Sequence, residues 1–568
     1  MLAGPLFVRE VLTAPRQLKH FLLRSGYVGA LFVLLYTAAQ VTFGWQQVRN
    51  LADIARFGEL VFQIFTLVQL TLIVFFSVLF SAGNVAQEKD RRTLLMLLTT
   101  DLRDSELVLG KLCASLLLPG VLIGVSVPAF LFLYWLGGVS IAQIGCVIGL
   151  SAATAFASGA WGTLVAYWRE KTFQTLAISL IGVVLFIAVV EGVVAAASGA
   201  TSIIGPLNPF RTALVVLDPF NVPDFAQVAL LGIAELTGVG AALVVATVLQ
   251  LRLWNPSRMM TEAKTKEEGE SERTRPARTV WEHPVIWREM MTRGYGRKVA
   301  LIKLAYLIMA AFAFYVVAGI SADAERVLGM ISPSGFAMLG LSLLALMLVN
   351  TQAVTSLTSE RDAATLELLL VTEISAKEFV YGKLGGILYN TKEVLLAPLA
   401  FLLWQTVIGR LFAEHALYLG IGFLVLVGFA AMLGLHFGLT YGSSRQAIAN
   451  SLGTMFFLFV GIFICMLLIV QARSSFAVQL PSFLIFILGG SIGLWATLTH
   501  RNPSPALTLA AAVLPFCTFY AITSFLLGQT LGVCLFVCAA YGFTAIAMLV
   551  PAVSEFDVAL GRSTLDRG

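Results

Sequence analysis

Stretches of about 20 predominantly apolar residues, each long enough to cross a hydrocarbon core as a helix, recur fourteen times along this chain. They fall at roughly 26–45, 60–83, 110–136, 141–167, 173–196 and 226–253, then at 298–320, 333–356, 385–409, 416–441, 447–470, 478–499, 505–527 and 530–551. Backbone groups in lipid must be satisfied within the segment, so such runs predict an all-α, polytopic helical membrane protein with about 14 transmembrane helices. Pro481 and Pro515 interrupt the last group of spans. Composition agrees. The chain is 58% apolar and 12% charged, where a soluble domain carries about 25% charged residues. That excludes an ordinary soluble enzyme, a disordered chain and a nucleic-acid binder.

With the N-terminus in the cytoplasm, 29 of the 37 Lys and Arg residues fall in cytoplasmic segments and 6 in outer loops, while Lys303 and Lys392 lie within spans. The bias obeys the positive-inside rule, and an even span count puts the C-terminus inside as well. The net charge of +5 is too small to argue for a polyanionic partner. Residues 1–25 are basic and partly amphipathic, and the run that follows is long enough to stay in the membrane, so no cleavable leader is expected. The six cysteines all sit in apolar stretches without a CxxC and read as small buried hydrophobes, and no metal site is expected.

The chain contains an internal repeat. EKDRRTLLMLLTTDLRDSELVLGKL from Glu88 aligns without gaps on ERDAATLELLLVTEISAKEFVYGKL from Glu360, at an offset of 272. The same register later pairs Gly162 with Gly434, Gln174 with Gln446 and Ser179 with Ser451. Upstream, PLFVREVL at Pro5 parallels PVIWREMM at Pro284, at an offset of 279. Each copy therefore opens with a short amphipathic helix, expected to lie on the inner membrane face with its Arg and Glu in water. Both copies put the Glu-rich segment after their second span on the cytoplasmic side, so the repeats are parallel. The organisation predicted is a first half at 1–254, a charged linker at 255–283, a second half at 284–500, and two extra spans with a short tail at 501–568.

Each Glu-rich segment reads as a short Leu-dense helix, a turn and a helix leading into span three. Thr100 or Asp101 is expected to cap the latter helix in the first copy, and Ser375 with Glu378 forms a capping box in the second. The repetition favours a cytoplasmic knuckle that docks a partner twice.

These two segments resemble the signature of type-2 ABC export permeases, in which an acidic-basic-acidic turn, a Thr and a Leu-rich helix follow span two. That resemblance covers both halves except the last two spans. It implies six-span half-units, an amphipathic elbow helix, and a coupling helix that touches a separate cytoplasmic ABC ATPase, two copies of it. By that resemblance Glu88, Lys89, Asp90, Thr93 and Leu94, with Glu360, Arg361, Asp362, Thr365 and Leu366, sit at the ATPase contact. The first copy departs from the pattern at Leu95 and Met96 and carries Arg91 and Arg92 where the second has Ala363 and Ala364, so the two contacts are expected to be unequal. The outer stretch from Ile204 to Phe225 resembles the family's short re-entrant helices, and otherwise reads as a Pro-bounded interfacial loop.

No G-x-x-x-x-G-K-[ST] occurs in the chain, so it is not expected to cradle ATP phosphates or act as an enzyme; ATP and Mg would be held by the partner. The expected role is the membrane subunit of an exporter in the cytoplasmic (inner) membrane. Ionisable residues inside spans are the candidates for a translocation path, namely Glu235, Lys392 and Glu393. Glu191 lies nearer an outer end and His436 nearer an inner one. Gly145, Gly149, Ala153 and Ala157 recur every four residues and read as a helix-packing stripe. A gradient-driven secondary transporter with parallel repeats is the alternative, but Glu191, Glu235 and Glu393 have no carboxylate mates at the repeat offset. A membrane-embedded enzyme needs a cluster of Asp, Glu or His at one face, and the knuckles are the clusters present. The substrate is not readable from the sequence.

Overall fold

A computed structural model describes residues 7–8, 11–12, 18–43, 50–196, 204–255, 281–291, 299–320, 331–363, 365–366, 374–472, 476–500, 504–526 and 528–559. The expected linker lies almost wholly outside these residues, as do Arg9 and Glu10 of the first elbow and residues 367–373 of the second knuckle. Among the described residues are seventeen α-helices. In the first unit these are α1 (Leu18–Phe43), α2 (Leu51–Asp90), α3 (Thr93–Leu98), α4 (Asp104–Leu136), α5 (Ile141–Trp168), α6 (Thr172–Ala196), α7 (Pro209–Leu217) and α8 (Phe225–Trp254). The second unit contains α9 (Pro284–Met291), α10 (Val299–Gly319), α11 (Pro333–Asp362), α12 (Ala376–Val407), α13 (Ala413–Thr440), α14 (Ser444–Ala472), α15 (Phe476–Leu498), α16 (Pro505–Leu526) and α17 (Thr530–Ala559).

Fourteen of these are long and apolar enough to cross a membrane, one for each expected span. Pro481 and Pro515 lie inside continuous α15 and α16 rather than ending them. The helix α2, with 40 residues, is about 60 Å long at 1.5 Å per residue. That is twice a hydrocarbon core of about 30 Å, so its last turns, carrying Glu88, Lys89 and Asp90, project beyond it.

The repeat is visible in the packing. In the first unit α2 packs on α4, α5 and α6; in the second α11 packs on α12, α13 and α14. The helices α5 and α13 begin and end at positions related by the offset of 272. A Cβ on Gly162 would lie 2.8 Å from the carbonyl oxygen of Val78, and one on Gly434 would lie 2.7 Å from that of Asn350. These are the same pair of positions in the two units, and at both the helices touch backbone to backbone. The stripe on α5 packs as expected: Gly149 receives Ile233 of α8, and Ala157 lies against Gly240 of the same helix. A Cβ on Gly145 would meet nothing within 4 Å.

The helices without a first-unit counterpart are not the last two. Sixth in the first unit, α8 packs on α5 and α4; in the second unit α17 packs in the same way on α13 and α12. The added pair is therefore α15–α16, which stands where the first unit has the outer segment carrying α7. The expected boundary at 500 falls between the two helices of this hairpin. Span counting along the chain cannot see this, because an inserted pair leaves every later orientation unchanged.

The units meet reciprocally. The fifth span of each, α6 or α14, packs against the first two spans of the other, α10 and α11 or α1 and α2. This is the pattern of an isologous two-fold interface inside one chain. Phe456 of α14 stacks on Phe75 of α2 at 4.2 Å between ring centroids. The hairpin adds α15 against α1 at one seam.

Candidate functional site

The first knuckle is built from the end of α2, the turn at Arg91 and Arg92, and α3. Arg92 takes a left-handed backbone conformation (φ 61°), which reverses the chain between the two helices. Leu94 pins α3 by inserting among Val85, Leu107, Val108 and Tyr167. The next helix does not start where Thr100 or Asp101 would cap it. Arg103 is its N-cap, and the Glu106 carboxylate accepts the Arg103 backbone N–H at 3.2 Å. Arg103 occupies the position of Ser375, where the expected capping box forms with both bonds, Glu378 N to Ser375 Oγ at 3.2 Å and Ser375 N to Glu378 Oε2 at 3.1 Å. Register, rather than residue type, decides where this helix begins.

The acidic-basic-acidic residues are joined to the rest of the chain, and largely in the same way twice. Glu88 pairs with Lys111 of α4, and Glu360 pairs with Lys383 of α12. Lys89 donates to the carbonyl oxygens of Tyr167 and Arg169 at the end of α5; Arg361 donates to those of Gly438 and Tyr441 at the end of α13. These cations satisfy carbonyls that a helix C-terminus leaves open. The Thr93 hydroxyl donates to the Glu88 carbonyl at 3.3 Å, and the Thr365 hydroxyl to that of Glu360 at 3.0 Å. Asp90 accepts from the Thr172 hydroxyl, whereas Asp362 accepts from Arg91 across the unit boundary at 3.4 Å. Leu366 packs against the main core.

Sequence reading singled out the Glu of each turn but not the Lys that neutralises it. Lys111 and Lys383 are both buried, and an ammonium is rarely so unless paired. The Gly-Lys that closes both copies of the repeat was the available signal. In the second unit the preceding Gly382 also receives the elbow helix α9: a Cβ there would lie 2.7 Å from Val285, and one on Gly386 would lie 2.4 Å from Cβ of Glu289. On the elbow's polar side Glu289 is accordingly withdrawn from water, while the Arg288 side chain stays 33% exposed. Arg288 pairs with Glu289 and Glu360, and Lys383 bridges Glu289 at 2.7 Å and Glu360 at 2.8 Å. Burial works to raise the Glu289 carboxyl, but the Lys383 and Arg288 cations outweigh it and hold that carboxyl below the usual range. Two small residues four apart on α12 admit the elbow so closely that Glu289 becomes largely interior.

What the first knuckle leaves outward is a different set. Arg91, Arg92, Thr93, Met96, Thr99 and Thr100 are exposed, and Met96 is 71% accessible. The outward side of the knuckle thus carries one apolar side chain, Met96, with two arginines at the turn.

The three intramembrane candidates lie elsewhere. Glu235 is on α8, which packs on α4, α5 and α7 within the first unit; its Oε2 is buried and accepts no hydrogen bond among the described residues. Glu393 pairs with Lys303 of α10 at 2.7 Å rather than with its neighbour Lys392. The exposed Lys392 ammonium sits 4.1 Å from the centroid of the Tyr389 ring. Neither α8 nor α12 forms the seam between the units. Of the helices that do, α2 has no Asp, Glu, Lys or Arg between Glu59 and Glu88, α11 has none before Glu360 and α14 has none after Arg445, while α6 carries Glu191 and α10 carries Lys303. On the outer side Glu191 of α6 accepts from Asn208 at 2.7 Å and Arg211 at 3.3 Å, tying α6 to the segment with α7. That segment begins with a 3-10 turn, Gly205–Leu207, and α7 packs back on α2, α5 and α8. His436 is buried on α13 and hydrogen-bonds the Leu498 carbonyl at 2.9 Å. No three His, Cys, Asp or Glu side chains converge as metal ligands among the described residues.

Residues 45–249 match the family model described as ABC-2 family transporter protein. The matched stretch runs from just before α2 to near the end of α8. No curated protein and no solved structure matches the chain.

Proposed function

We propose that the chain, which matches the ABC-2 family transporter model over residues 45–249, is a membrane permease of that family and the membrane-spanning part of an ATP-binding-cassette exporter, two half-units fused in tandem. Both termini would be cytoplasmic, in an inner membrane, and a separate ATPase pair would bind ATP and Mg and dock on the two knuckles. The observation that carries this reading is the repeated wiring of the knuckles: in each unit a Glu–Lys pair and a cation on helix-end carbonyls fix the turn rigidly to the span bundle. A force applied to α3 is then delivered to α2, α4 and α5 together instead of being absorbed in a loose loop. Glu88, Lys89 and Asp90, with Glu360, Arg361 and Asp362, act in this scheme as the anchor of each coupling segment, and the exposed side of α3 meets the ATPase. Thr93 and Thr365 close the turns, and Leu94 and Leu366 hold them to the bundle.

The reciprocal seam is the place for a path, since closure of an ATPase pair would move one unit against the other along it. Its helices α2, α11 and α14 carry no Asp, Glu, Lys or Arg through the membrane, whereas Lys303 of α10 pairs with Glu393. The test is affinity purification of the tagged chain in mild detergent with mass spectrometry and an ATP-hydrolysis assay. A co-purifying Walker-motif ATPase, lost when Met96→Asp puts a charge on the apolar tip, is the expected result. A monodisperse chain that retains no ATPase in any of several detergents sinks the proposal.

A further inference from the structure

The two units treat one helix face in opposite ways. On α6, Phe186, Val189 and Val193 are exposed within a membrane span, so their neighbours are lipid chains. In the second unit the same positions are Leu458, Gly461 and Cys465 of α14, and the hairpin α15–α16 stands over them. That cover is incomplete. The helix α15 packs closely on α16 and on α1 but only lightly on α14, its neighbour in sequence. Between α14, α15 and α16 lies about 420 Å³ of space, its open mouth included.

Two glycines face this space without the close approach that glycines give elsewhere in the fold. A Cβ on Gly461 would come no nearer than 3.8 Å to Phe486, and one on Gly490 no nearer than 3.7 Å to Pro515. At Gly162 and Gly434 the equivalent distances are 2.8 and 2.6 Å. Small residues in a span ordinarily join two backbones; this pair leaves a gap. The hydroxyl of Thr518, on the lining, already donates to the Leu514 carbonyl at 2.7 Å and lies 3.1 Å from the Tyr541 hydroxyl. A cavity so apolar does not hold water, and close-packed interiors leave few voids of this size unfilled.

We propose, independently of the exporter reading, that this cavity holds one alkyl chain of a bilayer lipid, seated between α14 and the hairpin. The matching face of α6 already meets such chains, and the mouth opens among membrane-spanning helices beside the exposed Phe457. A flexible chain without polar atoms fills the gap and strands no donor or acceptor. It occupies the space between two elements that clasp the first unit, since α14 packs on α1 and α2, and α15 on α1.

The purified full chain is reconstituted in vesicles of phosphatidylcholine carrying a photoactivatable diazirine at mid-chain, and the adducts are mapped by mass spectrometry. Adducts are expected on the buried Cys465 and Phe519 as well as on Phe457 and Val189. Gly461→Val, which gives α14 the residue of the first unit, is expected to lower those on Cys465 and Phe519 at least tenfold and to leave Val189 unchanged. Gly490→Ala, from the facing helix, is expected to lower them about threefold. In the wild-type chain, adducts at Phe457 without any at Cys465 or Phe519 overturn the inference, the result for a cavity closed by its own side chains. Label at Val189 but at none of the cavity residues also overturns it, the result for a mouth covered by a second copy. So do undiminished adducts at Cys465 in both variants.

Discussion

Set side by side, the two units agree in their interior and part company at their edges. Backbone contact between the second and fourth spans, the neutralised Glu of the turn, and the cation on the helix-end carbonyls occur in both. The margins differ. On α6, Val184, Phe186 and Val193 are exposed, while the corresponding Phe456, Leu458 and Cys465 of α14 are buried. The second unit has a hairpin at its margin and the first does not. Duplication thus preserved what transmits displacement and released what meets lipid or partner. A feature shared by the copies is evidence for the frame, and a feature that differs points to a contact each unit makes alone.

The largest separation between the units should come from their buried lysines. Lys383→Met leaves Glu289 and Glu360 without their shared ammonium, at a cost of about 3 kcal/mol, the low end for a broken buried pair because Arg288 still touches both. Lys111→Met strands only Glu88, whose side chain is 21% exposed, and should cost on the order of 1 kcal/mol. Thermal unfolding of the purified variants measures both, and equal losses would mean that the elbow adds nothing to the second anchor.

Next in size, Gly386→Ala drives a methyl group into Glu289 and should destabilise by about 1–3 kcal/mol. The first unit already has Ala at position 114, so Ala114→Gly should shift the same unfolding curve far less.

A smaller effect follows from pH. Because the Glu289 carboxyl is held below its ordinary value of 4.5, its contribution is complete above that value and is lost as pH falls below it. Thermal unfolding of the purified protein should show a loss of stability over that acidic window, and Glu289→Gln should remove the pH dependence. A loss beginning above neutrality would contradict the assignment.

Smallest of all, Arg91→Ala should change stability by at most about 1 kcal/mol, as its pair with Asp362 is half exposed. A larger loss would make that bond a brace between the units.

Every spanning helix was legible in the sequence, because twenty apolar residues have few other ways to satisfy their backbone in lipid. The repeat was legible too, and the ungapped register from Glu88 to Leu180 already implied superposable frames. Three features were not. The insertion of α15–α16 escaped detection because hydropathy counts spans without saying which of them pack together. The elbow was expected to keep Arg288 and Glu289 in water, since a hydrophobic stripe indicates where a helix lies but not that Gly382 and Gly386 open a groove for its other side. The sequence put Lys392 and Glu393 side by side, yet the partner of Glu393 lies 90 residues away in Lys303. Proximity in sequence is a poor guide to which charges neutralise each other on a helix, where adjacent residues diverge by about 100°.

The packing of α17 against α13 has a consequence for biosynthesis. The first unit is complete once the ribosome has passed Trp254, because α8 closes on α5 from within the same half. The second must wait for α17, Thr530–Ala559, with one side of α13 uncovered while the hairpin ahead of it inserts. A chain truncated after α16 would therefore leave the translocon with a finished unit joined to an unfinished one. The helix face left open there is the one that α17 covers.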